Sequence, residues 1–87
     1  MSKVIVDIDP ELLSQFDGLS KDIKKKFKKR LGYLKENPQH KSLQIHRIQG
    51  TDFWEFYVDK GYRCVFKRDG AVYNLYFLGS HELIDNF

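Results

Sequence analysis

The sequence predicts an α+β protein: two N-terminal helices packed on one face of a mainly antiparallel, twisted sheet, in the order β-α-α-β-β-β-β. Three observations predict it. The apolar period is helical through residue 34 and changes to two after residue 42. Two hairpin signals, Asp59-Lys60-Gly61 and Asp69-Gly70, separate three apolar-rich runs. The chain has 87 residues, room for one or two helices against one sheet and little else. At this length only about 60–65% of the unfolded surface is buried, so the core must be dense. Seven Phe, five Tyr and one Trp can make it so. No internal repeat or low-complexity linker interrupts the chain, so residues 1–87 read as one domain.

Residues 3–8 alternate, with Val4, Val6 and Ile8 against Lys3, Ile5 and Asp7, as a first strand does. Asp9-Pro10 starts a helix, Asp9 as N-cap and Pro10 at the first helical position. Leu12, Leu13 and Phe16 form its expected apolar stripe, and Asp17-Gly18 ends it. Ser20 opens a longer helix. Ile23, Phe27, Leu31 and Leu34 share one side of it, and lysines cover the rest. Asn37-Pro38 stops it, because the residue before proline is pushed out of the helical region. Leu43 and Ile45 then alternate with Gln44 and His46, and Gly50-Thr51-Asp52 turns the chain. Residues 53–58, 62–68 and 72–78 are the last three strands.

Turn type fixes register. A three-residue loop at 59–61 sets Val58 against Tyr62, Tyr57 against Arg63 and Glu55 against Val65. Asp69-Gly70 as a two-residue turn sets Arg68 against Ala71, Val65 against Asn74 and Arg63 against Tyr76. Trp54, Phe56, Val58, Tyr62, Cys64, Phe66, Tyr73, Leu75 and Phe77 then share the helix-covered face. The other face gathers Glu55, Tyr57, Arg63, Val65, Lys67, Asn74 and Tyr76, with Arg63 between two tyrosines. That mixture suits RNA. A guanidinium offers a planar donor fork to a phosphate, and tyrosines offer flat faces to unpaired bases.

Charge is unevenly spread. Residues 20–47 carry ten of the fifteen Lys and Arg, with only Asp22 and Glu36 among them as acids. The basic helix, with Lys24 and Lys28, therefore suits RNA or an acidic amphipathic protein segment. The one cysteine, Cys64, excludes an internal disulfide and sits in an apolar run as a buried thiol. No His, Cys and carboxylate cluster has metal spacing, and no glycine loop would cradle phosphates, so neither a metal nor a cofactor is expected. The acidic, short-stranded N-terminus is neither a signal peptide nor a membrane span, so a cytoplasmic location is expected.

The segment Trp54-Glu55-Phe56-Tyr57-Val58-Asp59-Lys60-Gly61-Tyr62-Arg63-Cys64-Val65-Phe66 resembles the core of the RelE/YafQ/ParE-like toxins. Their pattern is an aromatic alternating strand, a short turn, then Tyr-Arg-x-Val-Tyr/Phe. The ending Gly79-Ser80-His81-Glu82-Leu83-Ile84-Asp85-Asn86-Phe87 is similar to their closing segment. The resemblance implies a RelE-like fold and the toxin component of a type II toxin–antitoxin system. It implies a ribosome-dependent, metal-independent mRNA endonuclease that inhibits translation, with a cognate antitoxin, the ribosome and mRNA as partners. It implies Arg63 on the phosphate, His81 as general acid and Phe87 stacked on a base. Glu55 and Tyr57 stand where RelE has lysines, so Glu55 is a candidate base instead. His46, beside Arg47 on the bordering strand, is the other candidate base. Tyr57, Tyr76, His46 and Arg47 are the further RNA-binding candidates. A ParE-like gyrase inhibitor and a non-catalytic binding protein of RelE fold are the alternative readings.

Overall fold

The computed structural model describes residues 4–80 and Ile84. Strand β1 (Ile5–Ile8) is followed by helices α1 (Pro10–Asp17) and α2 (Lys21–Glu36). A 3₁₀ turn (Lys41–Leu43) leads into β2 (His46–Arg47), β3 (Trp54–Asp59), β4 (Tyr62–Asp69) and β5 (Val72–Ser80). The sheet order is β1-β5-β4-β3-β2. Only β1 with β5 is parallel; the other three pairings are antiparallel.

The helix ends follow their caps. Asp9 accepts the Glu11 amide at 2.9 Å, and the Ser20 hydroxyl accepts the Ile23 amide at 3.3 Å. Helix α2 buries Phe27 and Leu34 and packs Ile23 and Leu31 against the same core. That core continues through Leu12, Leu43, Phe56, Val58, Cys64, Phe66, Tyr73, Leu75 and Leu78. Phe56 sits at its centre, with Phe27 and Phe66 rings about it at 6.2 and 5.9 Å.

Several expectations are corrected. Leu13 is exposed: the two turns of α1 bring only Leu12 and Phe16 to the core. Residues 43–45 are not strand. Gln44 takes φ +47° after the 3₁₀ turn, and β2 is two residues long. The β3–β4 loop is Lys60-Gly61, with Asp59 rather than Val58 opposite Tyr62. Neither loop residue has positive φ, so the turn lacks the twist of a primed hairpin, and a bulge at Val58 supplies it. Asp59 closes this turn by accepting the Gly61 amide at 3.1 Å.

The β4–β5 turn is Gly70-Ala71, with Asp69 opposite Val72. Gly70 has φ +58° and Ala71 does not have positive φ, which is glycine at the first centre of a type II′ turn. Moving the turn by one residue moves the register by two, so Tyr73 and Leu75 keep their expected face. A second bulge at Tyr76 then moves it by one more and flips the phase. Leu78 enters the core, Phe77 faces Val65 on the other side, and Arg63 lies opposite Gly79 instead of Tyr76. The Phe77 ring closes over Gly79, where a Cβ would lie 2.5 Å from it.

Candidate active site

The face of the sheet turned away from the helices collects alternate residues of β3 and β4, namely Glu55, Tyr57, Arg63 and Val65. Val65 is fully buried there although it belongs to no part of the helix-side core. Glu55 is the one buried acid among the described residues, at 6% exposure. A carboxylate taken out of water needs partners, and two strands supply them. Oε1 of Glu55 meets Arg63 Nε at 3.6 Å from β4 and His46 Nε2 at 3.3 Å from β2. The antiparallel registers put these groups together, since His46 pairs with Glu55 and Arg63 with Tyr57.

Hydrogen-bond partners fix the proton on His46. Its Nδ1 lies 3.0 Å from the Gln44 carbonyl, which can only accept, so Nδ1 carries the hydrogen. Nε2 then faces the Glu55 carboxylate oxygen. The imidazole is largely exposed while the carboxylate is not. His46 is therefore the accessible member of the pair, with Glu55 behind it.

Arg63 is held tightly. One Nη donates to the carbonyls of Asp59 at 2.8 Å and Tyr62 at 3.0 Å. Its guanidinium lies 4.8 Å from the Tyr57 ring centre. Among the described residues the second Nη has no partner, and its two N–H groups are those left for an oxyanion.

Arg30, on α2, also reaches this tyrosine, at 5.0 Å from its ring. Its Nη1 donates weakly to the Ser42 carbonyl at 3.5 Å, and its enclosed Nε has no acceptor among the described residues. Sequence reasoning counted Arg30 only as part of the basic run. Its signal was position: Lys26 and Arg30 each precede a residue of the apolar stripe, Phe27 and Leu31. Side chains at that border lie along the sheet edge instead of pointing into water. Lys26 shows the same effect in its 2.6 Å bridge to Asp59. The Asp59 and then Asp22 carboxylates raise the Lys26 pKa, and the Lys26 ammonium and then the Gly61 amide lower that of Asp59.

The remaining candidates divide. Arg47 is exposed and spans the following loop, donating to the Thr51 carbonyl at 2.8 Å and approaching Asp52 at 3.5 Å. Tyr76 is exposed and stands edge-on to Phe53 at 6.0 Å, so it belongs to the same face but not to the Arg63 stack. Lys24 and Lys28 lie over the Phe16 ring at 5.6 and 5.8 Å, on the helix layer and apart from the Glu55 cluster. His81 and Phe87 lie outside the described residues. Cys64 is fully buried on the core side, and burial pushes its thiol well up, so it stays a neutral packing group.

No protein-family model matches the sequence, and no curated protein matches it significantly. Solved structures do. The RelE chain of the archaeal RelE–RelB complex from Pyrococcus horikoshii superposes with a TM-score of 0.74 at 17% identity, over 90% of this chain and 94% of that one. The E. coli RelBE toxin–antitoxin complex gives 0.69 at 21% identity, over 88% and 95%. E. coli YafQ gives 0.71 at 13% identity, over 94% and 98%. The chain therefore has the RelE-like fold.

Proposed function

We propose that this RelE-like fold is the toxin component of a type II toxin–antitoxin system and cuts mRNA on the ribosome, using the face that carries His46, Glu55 and Arg63. The observation that carries the reading is the buried Glu55 carboxylate shared by an exposed imidazole and a fixed guanidinium. Neighbours in fold are toxins solved with their antitoxins, RelB and DinJ, which supports an antitoxin partner here.

The chemistry needs no metal. The ribose 2′-oxygen attacks the adjacent phosphorus, the P–O5′ bond breaks, and a 2′,3′-cyclic phosphate and a 5′-hydroxyl remain. His46 Nε2, in its proton-free state, takes the 2′-hydroxyl proton. The Gln44 carbonyl holds the ring by its other nitrogen, and Glu55 stabilises the imidazolium that results. Arg63 offers its free Nη to the phosphorane, whose charge grows in the transition state. Tyr57, whose ring carries Arg63 and Arg30, positions both guanidiniums for the RNA backbone. His81 is the proposed acid for the leaving 5′-oxygen, and Phe87 the proposed stacking ring.

A translation-coupled cleavage assay tests this. Arg63→Ala and His81→Ala each reduce cleavage by about 100-fold or more; unchanged cleavage by both rejects the assignment. A second reading has an observation in its favour. Arg63 is already bonded to two carbonyls and a carboxylate, as in a purely structural arginine. A non-catalytic binding protein of this fold would be harmless when expressed without an antitoxin, whereas the nuclease arrests growth.

A further inference from the structure

We propose that a groove on the helix side of the sheet docks an acidic segment of a protein partner, anchored by an aliphatic side chain. The groove has a volume of about 640 Å³, enough for a few side chains but not for a helix. It opens where the loop after α2 stands off from β1 and from the β4–β5 turn. Val4, Ile45 and Ala71 supply its aliphatic lining. His40, Lys41 and Arg68 line it as well, and no acid does so among the described residues.

The polar lining is arranged to donate. The Ser42 amide donates to His40 Nδ1 at 3.2 Å, so the remaining ring hydrogen of neutral His40 is on Nε2. The same ring stacks flat on Tyr33 at 4.0 Å, which fixes its plane. The Arg68 guanidinium is held 5.0 Å from the Trp54 ring and 5.5 Å from the Tyr73 ring while its residue stays exposed. Imidazole N–H, ammonium and guanidinium beside an aliphatic lining fit carboxylates on either side of a buried Leu, Ile or Val. They do not fit RNA as well. The lining offers no open ring for a base, since Trp54 packs on the core and carries Arg68 over it.

This face is opposite the His46–Glu55–Arg63 cluster, because Trp54 and Glu55 are consecutive residues of β3. The proposal therefore stands whether or not the chain cuts RNA. It names a second contact surface for an acidic partner, besides the lysines of α2.

Trp54 is the only tryptophan of the chain and reports on the groove directly. The probe is a blocked synthetic peptide of glutamates interrupted by leucines, titrated into the protein while Trp54 emission is read, with calorimetry as the second readout. A saturable emission shift is expected. Affinity falls by about tenfold or more in Arg68→Glu and in Lys41→Glu, and falls as salt rises. Both positions are exposed, so the variants keep the fold, which circular dichroism checks. The proposal is overturned by an absent shift, by undiminished binding to both variants, or by equal binding of a peptide with serine for leucine. Displacement of the peptide by a single-stranded oligonucleotide at lower concentration assigns the groove to RNA and also overturns it.

Discussion

Strands β3 and β4 carry two different environments on their two faces. Toward the helices, Phe56, Cys64 and Phe66 meet other apolar groups and are fully buried. Away from them, Glu55 is almost as deeply buried as its neighbour Phe56, yet it is a carboxylic side chain and touches an arginine and a histidine. Burial on the first face stabilises the fold by removing apolar surface from water. Burial on the second requires a network to offset the desolvation of a carboxylate.

The largest effect on stability belongs to the helix-side face. Phe56→Ala removes the central ring and costs about 3–5 kcal/mol, measured as a lowered urea midpoint. A loss under about 1 kcal/mol would mean that Phe56 is not central.

Glu55→Gln costs less, about 1–3 kcal/mol, because Arg63 keeps its two carbonyl partners while losing its counter-charge. The pair Glu55→Leu with Arg63→Met sharpens the contrast. Apolar replacement of both charges recovers stability relative to Glu55→Gln, while cleavage stays abolished. Recovery of cleavage together with stability would erase the distinction between the faces.

The Lys26–Asp59 bridge gives a smaller, pH-dependent effect at the edge between the layers. The Asp59 pKa is depressed on folding, so its stabilisation is present above the ordinary carboxylate range and is lost as pH falls through the depressed value. The Lys26 pKa is raised, so its stabilisation is present below the ordinary lysine value and is lost as pH rises through the raised one. Asp59→Ala is accordingly less stable than the parent at neutral pH and converges with it in acid. Divergence that grows in acid would reverse the sign. The smallest signal is at Cys64, which resists alkylation in the native protein and reacts only on unfolding. Rapid native-state labelling would place it outside the core.

The pattern of elements was legible because each rests on local signals: Asp9-Pro10, Ser20 and Asn37-Pro38 bound the helices, and apolar alternation marks the strands. The pairing of Tyr57 with Arg63 came out as expected because the bulge at Val58 offsets the shorter loop. The bulge at Tyr76 was not legible. It inserts one residue into a strand whose sequence alternates normally up to that point, and nothing local announces it. Arg63 therefore lost its expected second tyrosine. It meets Glu55 instead, and the other groups around Glu55 and Tyr57, His46 and Arg30, come from β2 and α2, which meet β3 only in three dimensions. Glu55 and His46 were each named as a base from sequence, but that the two face each other, with the other ring nitrogen on the Gln44 carbonyl, emerges only from the structure.

Ribosome-bound mRNA cleavage by His46→Ala, by Glu55→Gln and by the double variant tests the role of the outer face most directly. The two groups act as a unit, so His46→Ala lowers the rate by about 100-fold or more and the double variant lies within about threefold of it. Wild-type cleavage by His46→Ala, or losses that multiply in the double variant, would contradict the assignment of this pair as the reacting base.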